Sequence, residues 1–461
     1  MTTTSRWAGV LAAASLLLGA CAPTAQPTSE VQTIVVTQVV AGTPVERVIT
    51  ATPEPTADRS AEPVSLRFTT WTGNEAQLAV LNAIGADYTA LHPNVTVQFE
   101  TIPFDEYPTK LSVQLAGGDP PDLGWIVEVV AANWIEAGVF EDVSDTLQAY
   151  PGYDYDDLLT APLSLWARDE SLYAVPFSTS PFFVLYNKDL FAAAGLETPD
   201  ALLARGEWTY AAFADAAKAI AEQGGAGVYG YLGVEGGNMY AANLWQTLTP
   251  FLWAYGAEPW SADYATCGLN TPEAIEAVSL VQRMVVTDES TVPPGETASF
   301  TSGQIGMAFG QLSRIGALKD ATFEWGIAPL PGGPAGARPT IGQAAIAVFR
   351  QGAHSDLAAD FLAFMTTEAN VARLAQFWPP IRQSVLDSGV IAQNYPAVDA
   401  ASLDAAVVAG IANGNVVPSH PDFAKLDLAL RPSFDQLWAE GADVQTLMNQ
   451  ACESGATFFK P

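Results

Sequence analysis

From residue 64 onward the sequence predicts an α/β protein, and three consecutive segments support this class. Residues 64–71 alternate apolar and polar side chains as a strand does, residues 75–91 carry apolar side chains at helical spacing, and residues 95–102 alternate again. Strand–helix–strand order is typical of a mostly parallel sheet with helices on its faces. The chain has 461 residues, of which 49% are hydrophobic, enough for two or three domains or one two-lobed body.

The same pattern continues along the chain. A helix is predicted over residues 107–116, ended by Gly117 and Gly118, and a third strand begins near Pro121. The later elements are four predicted helices, at 210–223, 272–286, 355–366 and 368–377, and four predicted strands, at 183–187, 305–310, 324–329 and 344–349.

The N-terminal residues predict an export signal and a lipid anchor. Arg6 is the only charged residue among the first twenty, and the apolar run at 8–18 is shorter than the roughly 20 residues that span a bilayer. Residues 1–20 are therefore predicted to be a signal peptide. The tetrapeptide Leu-Gly-Ala-Cys at 18–21 resembles the bacterial lipobox, which implies an acylated N-terminus at Cys21. An ordinary signal with an incidental cysteine is the alternative.

Two acyl chains on Cys21 suffice for stable attachment, so the mature chain is predicted to face outward from the cell membrane. Residues 21–63 comprise this cysteine and a segment rich in Thr, Val, Pro and Ala. Residues 35–40 have the composition of a strand, but the Thr-Pro repeats around them favour an extended tether. As a flexible coil the tether would span on the order of 35–40 Å.

The chain is strongly acidic, which excludes several classes of partner. Lys and Arg number 19 against 50 Asp and Glu, giving a formal net charge of −31. Such a surface repels nucleic acid and anionic lipid headgroups. Only three His and three Cys are present, too few for a convincing His/Cys metal centre, so we predict neither a metal nor a cofactor.

The sequence lacks the motifs that an enzyme of a common class would need. His92, His354 and His420 lie outside any Gly-x-Ser-x-Gly or His-Glu-x-x-His motif, and the glycine-rich stretches are not phosphate-binding loops. Paired acids such as Asp156 and Asp157 are too common in this chain to mark a glycosidase. The prediction is therefore a protein that performs no chemistry on its ligand.

Two cysteines remain once Cys21 is lipidated. Cys267 and Cys452 would both lie in an oxidising compartment, where disulfides persist. The sequence does not give the distance between them, so their pairing stays open at this stage.

Several motifs, in order along the chain, resemble one family. Residues 172–176, Leu-Tyr-Ala-Val-Pro, lead into Phe-Val-Leu-Tyr-Asn-Lys-Asp-Leu-Phe-Ala-Ala-Ala-Gly-Leu at 183–196. Together they resemble the signature of family-1 extracellular solute-binding proteins of ABC importers, the sugar-binding type that includes maltose-binding proteins. Weaker matches to the same family occur at residues 121–122, 136–138, 207–213, 300–307, 325–333 and 379–382.

The resemblance implies a two-lobed, periplasmic-binding-protein-like clamp of type II. Its solute-binding body would be residues 64–461. Lobe 1 would comprise residues 64–177 and 343–388, and lobe 2 residues 181–338 and 390–461. The family's function implies a monomeric receptor that captures a mono- or oligosaccharide between the lobes and delivers it to the transmembrane subunits of an ABC permease.

A sugar-binding site needs flat aromatic rings for the C–H face of the sugar and polar groups for its hydroxyls. The resemblance implies that the chain crosses between the lobes near residues 176–181 and 339–342. Ligands of α/β lobes lie beyond the carboxyl ends of strands, so residues that follow predicted strands or lie near these crossings are the candidates. Each Trp can instead be a core residue, and Glu75 and Glu128 can be charges at helix N-termini. The predicted ligand-binding residues are Trp71, Asn74, Glu75, Trp125, Glu128, Ser180, Asn243, Trp245, Gln246, Gln311, Gly342 and Gln343.

One departure from the family leaves the ligand open. The family often has Gly-Pro-Trp where this chain has Gly310-Gln311-Leu312, and Leu312 cannot stack on a sugar as that Trp does. A polyol or a glycerol phosphate is therefore an alternative ligand. A secreted carbohydrate-active enzyme is an alternative class, and a receptor for a sensor protein is a third possibility.

Overall fold

The computed structural model describes residues 33–40, 43–50, 62–241, 244–417 and 419–459. The chain divides into two compact units, residues 1–60 and 61–461. In the first unit, β1 (Thr33–Val40) and β2 (Thr43–Thr50) form an antiparallel hairpin, with Thr33 opposite Thr50. The segment predicted to be an extended tether thus contains paired strands. The predicted signal peptide and Cys21 lie outside the described residues.

The second unit contains the remaining strands and all the described helices. The strands are β3 (Val64–Thr70), β4 (Val95–Thr101), β5 (Leu123–Val127), β6 (Ala167–Arg168), β7 (Ser171–Leu172), β8 (Ala174–Pro181), β9 (Phe183–Asn187), β10 (Tyr229–Val234), β11 (Ile305–Gly310), β12 (Trp325–Pro329), β13 (Thr340–Val348) and β14 (Asn415–Val416). The helices of the first half are α1 (Glu75–Leu91), α2 (Tyr107–Ala116), α3 (Ala131–Glu136), α4 (Ser144–Ala149), α5 (Thr160–Leu163), α6 (Lys188–Ala193), α7 (Pro199–Ala204), α8 (Tyr210–Gly224) and α9 (Leu244–Tyr255).

The helices of the second half are mostly shorter. They are α10 (Pro272–Gln282), α11 (Leu312–Ile315), α12 (Ser355–Met365), α13 (Glu368–Leu374), α14 (Gln383–Asp387), α15 (Val390–Asn394), α16 (Ala400–Leu403), α17 (Ala409–Asn413), α18 (Phe423–Gln436) and α19 (Val444–Gly455). Short 3-10 helices occur at Phe104–Glu106, Glu128–Val130, Tyr155–Asp157, Phe300–Ser302 and Gly316–Asp320. Turns of π-helix occur at Arg283–Thr287 and Asp404–Val408.

Lobe 1 is built on a six-stranded sheet. Its strand order is β14-β13-β5-β3-β4, and β8 pairs with the other edge of β13. β3 runs parallel to β4 and β5, as the predicted strand–helix–strand pattern requires. α1 packs on this sheet through Leu81, Ile84 and Tyr88, which are buried. The alternating and helical patterns of the sequence therefore correspond to real faces of this lobe.

Lobe 2 is built on a four-stranded sheet of order β10-β11-β9-β12. β10 and β11 are parallel, whereas β9 is antiparallel to β11 and β12. Its main apolar core contains Phe213, Tyr231, Phe251 and Phe309, whose rings contact one another. Each lobe thus has its own core, and the two-lobed α/β fold predicted from the sequence is confirmed.

Two strands cross between the lobes side by side. β8 leaves lobe 1 and continues through Phe182 into β9 of lobe 2, and β13 returns from lobe 2 to lobe 1. They pair antiparallel, with Ser180 opposite Gly342 and Thr179 opposite Gln343. Later in the chain, Leu386 and Ile391 pack in a cluster of lobe 2 with Phe183, so the chain passes between the lobes again in this region.

A disulfide ties two distant parts of lobe 2 together. Cys267 and Cys452 are bonded, with a Cα–Cα distance of 5.6 Å and a separation of 185 residues along the chain. Cys452 lies on α19, whose buried side chains belong to the core of lobe 2. The bond therefore fastens the C-terminal helix to the loop that carries Cys267.

Candidate functional site

The crossing strands present two faces, and these organise the predicted site. Neighbouring side chains on a strand point to opposite faces. A Cβ at Gly342 would lie 2.6 Å from Gln311 Nε2, so this position faces Gln311. The side chain of Gln343 points the other way, accepting a hydrogen bond from Trp166 Nε1 (2.7 Å) and donating one to the Pro162 carbonyl (2.9 Å). We call these the front face (Gly342) and the rear face (Gln343).

Three predicted residues meet on the front face. Gln311 Nε2 donates to the Ser180 carbonyl (2.9 Å), and Gly342, opposite Ser180, provides the space that the amide occupies. The Ser180 side chain is 5% exposed, and its Oγ has no hydrogen-bond partner among the described residues. An unpaired buried hydroxyl costs about 1–3 kcal/mol. Ser180 Oγ therefore retains unused hydrogen-bonding capacity beside the Gln311 amide.

An aromatic group from lobe 1 lies on the same side. Ile346 is four residues from Gly342 on β13, so the two residues share the front face. Trp125 on β5 lies opposite Ile346 and therefore points to the same side of the sheet. The ring of Trp71 contacts Trp125 (4.9 Å between centroids) and Phe104 (5.6 Å). Trp71 is half-buried and Phe104 is 48% exposed, so Phe104 presents the most accessible ring of this group.

Phe104 was not among the residues predicted from the sequence. It begins a short turn of helix, and only residues 102–103 separate it from the end of β4. A position just beyond the carboxyl end of a parallel strand is the signal that could have identified it. The same rule selected Trp71 after β3.

Two of the predicted tryptophans are buried in the cores of the lobes in this structure, where they present no exposed ring to a ligand. Trp125 is 0% exposed and stacks on Phe177 at 4.4 Å. Trp245 is 6% exposed, donates from Nε1 to Asp427 Oδ1 (2.7 Å) and contacts Trp260. Neighbours from distant parts of the chain cover both rings.

Several other predicted residues have structural roles. Asn74 caps α1, its side-chain oxygen accepting from the N–H groups of Ala76 and Gln77. Glu75 is exposed in the first turn of α1. Its negative charge there interacts favourably with the positive end of the helix dipole. Leu312 is buried in lobe 2, so this position offers no ring to a sugar. Asn243 lies outside the described residues.

A second group of predicted residues links the two lobes. Glu128, at the end of β5 in lobe 1, is 4% exposed. Its Oε2 accepts a hydrogen bond from the backbone N–H of Gln343 (3.3 Å), and its carboxylate is also bonded by the side chain of Gln246 on α9 of lobe 2. Burial raises the pKa of Glu128 from 4.5 to about 7, although both of these hydrogen bonds oppose the shift.

A loop of the last third of the chain makes further polar contacts between the lobes. Ser419 Oγ accepts from the Ala132 N–H (3.3 Å) and donates to the Val129 carbonyl (3.2 Å). The Ser419 carbonyl accepts from Trp260 Nε1 (3.2 Å) of lobe 2. Asn133 Nδ2 donates to the Pro421 carbonyl (2.7 Å). These contacts join the short helical segments after β5 to lobe 2.

A cavity of about 530 Å³ lies on the rear face, between the lobes. Gly414 lines this cavity, and a Cβ at Gly414 would lie 2.5 Å from Ile341 Cγ1. Ile341 is two residues from Gln343 on β13 and shares its face, which places the cavity at the rear. None of the predicted ligand-binding residues that the structure describes lines this cavity. Its main side chains are Arg168, Trp253, Trp260, Tyr264, Arg338 and Asn415.

Several polar groups around the rear cavity are bonded within the protein. Trp253 Nε1 donates to Glu258 Oε2 (2.6 Å), and Arg338 pairs with Glu258 while its guanidinium lies 4.3 Å from the Trp253 ring. Trp253 and Trp260 are both buried. These bonded groups are less available to a sugar, and the predicted residues lie elsewhere, so we take the front face as the candidate site.

The described residues contain no group of three or more His, Cys, Asp or Glu that could hold a metal ion. Among those residues, no helix has both the length and the apolar composition to cross a bilayer.

The buried carboxyl of Glu128 makes stability depend on pH. Because its folded-state pKa is raised above the ordinary value of 4.5, the native protein binds more protons than the unfolded chain between about pH 4.5 and 7. Stability should therefore rise as the pH falls through this window, by up to about 3 kcal/mol from this group. Glu128→Gln should remove that contribution, as measured by urea unfolding of the full chain at pH 5 and pH 7.5.

The matched control is Glu75→Gln, the same substitution at an exposed site of the same lobe. It should leave the difference in unfolding free energy between the two pH values as in the parent. An equal pH dependence in the parent and the Glu128→Gln protein would contradict the assigned role of this carboxyl.

Solved structures with the same fold support the two-lobed architecture. An ABC substrate-binding protein of Listeria monocytogenes in complex with cycloalternan has a TM-score of 0.74 at 21% identity, covering 86% of this chain and 99% of that one. UgpB of Mycobacterium tuberculosis, in complex with glycerophosphocholine, has a TM-score of 0.71 at 21% identity, covering 85% and 97%. At these identities the likeness concerns the fold alone.

Sequence relatives point in the same direction. A putative binding protein of Brucella abortus is 30% identical over 266 residues, 55% of this chain and 60% of the relative. An uncharacterised lipoprotein of Streptomyces antibioticus is 23% identical, covering 68% and 69%, and a maltotriose-binding protein of Pyrococcus abyssi is 26% identical, covering 68% and 63%. The match thus spans about 60% of the length of the first of these curated relatives.

A family description matches most of the body. Residues 72–372 match the family described as bacterial extracellular solute-binding protein. This stretch begins in the loop after β3 and ends in α13. It contains both crossing strands and all strands of the two lobe sheets except β3 and β14. The match covers more than half of the chain, and the motifs noted from residue 121 to residue 333 all fall within it. The chain is a member of the bacterial extracellular solute-binding protein family.

Proposed function

We propose that this protein is a lipid-anchored receptor of an ABC importer. It binds a mono- or oligosaccharide between its lobes, on the front face of the crossing strands, and delivers it unchanged to the transmembrane subunits of a permease. The proposal is supported by the family membership and by relatives whose descriptions include a maltotriose-binding protein.

The observation that carries the proposal is that aromatic rings and hydrogen-bonding side chains lie on the same side of the crossing strands. Lobe 1 supplies Phe104 and Trp71, whose rings can cover the C–H face of a sugar. The crossing and lobe 2 supply Ser180 and Gln311, whose polar atoms can bond sugar hydroxyls. A ligand held by both groups contacts both lobes at once.

Such a ligand would favour closure of the lobes. Contacts that exist only when both lobes engage the ligand shift the equilibrium toward the closed form. The polar links from Glu128 to Gln246 and from Ser419 to Val129 stabilise a closely apposed arrangement of the lobes. A permease could then distinguish loaded receptor from empty receptor by the relative position of the lobes.

The anchor is part of the same proposal. Lipidation at Cys21 would hold the receptor at the outer face of the membrane, in keeping with the extracellular family and with a relative described as a lipoprotein. Two acyl chains make such attachment stable. Residues 22–63 would then separate the binding body from the membrane.

The first test is a thermal-shift screen of the full chain against mono- and oligosaccharides, polyols and glycerol phosphates. A ligand at 100 times its dissociation constant should add about 2.7 kcal/mol of stability, which shifts the melting temperature by several degrees. Chromatography should recover the ligand unchanged. Breakdown of the ligand would indicate an enzyme, and the absence of any shift would contradict the carbohydrate assignment.

Phe104→Ala should weaken binding of the sugar found in that screen about tenfold, or about 1.4 kcal/mol, because it removes a ring that covers the sugar face. Stability should change by less than about 0.5 kcal/mol, since the side chain is half exposed. Calorimetric titration and urea unfolding measure the two effects.

Trp125→Ala is the control for that variant. Its ring is fully buried, so its loss should destabilise the protein by about 3–5 kcal/mol. Unchanged affinity in the Phe104→Ala protein would exclude this ring from the site.

Cys21→Ser should release the protein from the membrane fraction, because the site of acylation is lost. Fractionation of cells expressing parent and variant, followed by a wash at high salt, checks this. The salt wash distinguishes a lipid anchor from weak charge-mediated adsorption. A variant that stays with the membrane fraction would rule out anchoring through Cys21.

A further inference from the structure

Arg314 occupies a position where the carboxyl ends of two parallel strands meet. It lies three residues beyond Gln311, on α11, which follows β11. A Cβ at Gly236 would be 3.1 Å from Arg314 Nη1 and 3.2 Å from Cζ, so the guanidinium lies against the backbone of Gly236. Gly236 follows β10, the parallel neighbour of β11. Ligands of α/β lobes bind at such strand ends.

The charge of Arg314 has no counterpart among the described residues. In the part of the chain that the structure describes, its exposed side chain forms neither an ion pair nor a hydrogen bond. Among the arginines whose side chains are described, only Arg168 also lacks a carboxylate partner. The paired arginines are Arg67, Arg205, Arg283, Arg338, Arg350, Arg373, Arg382 and Arg431.

The absence of a partner is notable because acids outnumber bases 50 to 19 in this chain. Acids do lie nearby, but they are bonded elsewhere. Glu235 accepts hydrogen bonds from Ser299 Oγ (2.7 Å) and the Phe300 N–H (2.8 Å). Glu296 accepts one from Tyr229 Oη (3.0 Å). The guanidinium of Arg314 is thus left available for a group from outside the chain.

A cavity of about 260 Å³ adjoins this position. Its lining includes Gly236, against which Arg314 lies, with Asn238, Tyr240 and one acid, Glu296; Arg314 stands beside the cavity and does not line it. Whole-ligand pockets are usually about 300–1,000 Å³. The cavity therefore fits one end of a ligand, while the remainder extends toward Gln311 and the crossing strands.

We infer that the ligand carries a negatively charged group, a carboxylate or a phosphate, which Arg314 binds at this end of the site. The inference rests on the proposed carbohydrate function and narrows it to sugar acids and sugar phosphates. A guanidinium binds such groups through paired, charge-assisted hydrogen bonds. Glycine at 236 leaves the space beside the guanidinium open, which any larger side chain would restrict.

The test compares matched neutral and charged sugars by calorimetric titration of the full chain. Glucose is paired with glucuronate and with glucose 6-phosphate, and the same is done for any disaccharide that the thermal screen identifies. The charged member should bind at least tenfold more tightly than the neutral one. Arg314→Gln should abolish this preference and change the affinity for the neutral sugar less than twofold.

Arg168→Gln is the matched control, because Arg168 also lacks a carboxylate partner but lines the rear cavity. It should leave both affinities unchanged. Equal binding of charged and neutral sugars, or a preference that survives in Arg314→Gln, would overturn the inference while carbohydrate binding stands. If no sugar binds, the proposed function and the inference both fail. If sn-glycerol 3-phosphate alone binds, and does so only with Arg314 present, the anion site is supported and the carbohydrate assignment is refuted.

Discussion

The antiparallel pairing of β8 with β13 is the constraint on which the candidate site depends. These strands cross between the lobes in register, so Ser180 and Gly342 face one side while Thr179 and Gln343 face the other. A slip of one residue would exchange the two faces. Gly342 cannot carry a side chain without displacing the Gln311 amide. The register of one strand pair therefore decides which polar groups can reach a ligand at the front.

The contacts between the lobes are of a different kind from those within them. Each lobe buries its own apolar core, whereas the contacts described above between the lobes are hydrogen bonds such as Asn133 to Pro421 and Gln246 to Glu128. Polar interfaces of this kind can separate and rehydrate, because water replaces the lost bonds at small net cost. Relative motion of the lobes is thus compatible with two rigid cores, and the buried Glu128 carboxyl regains its hydration when they part.

The sequence predicted the regular elements well where the periodicity was undisturbed. β9, β11 and α8 lie within a residue of their predicted bounds. β10 was missed because two glycines interrupt its pattern, and α9 because Pro250 lies inside it. Trp125 and Trp245 show a different limit. Whether a ring after a strand or on a helix faces a cleft or a core depends on partners such as Phe177 and Asp427, and no local pattern identifies those partners.

The strong negative charge of the chain and the Arg314 guanidinium act over different distances. At physiological ionic strength the Debye length is about 8 Å, so most of the 50 acids are screened from a ligand inside the site. A group in contact with Arg314 is not screened in this way, and partial exclusion of water strengthens the attraction. The nearby Glu235 and Glu296 carboxylates already accept hydrogen bonds from other groups. Net charge therefore governs which large surfaces the protein avoids, while Arg314 determines which small ligand it prefers.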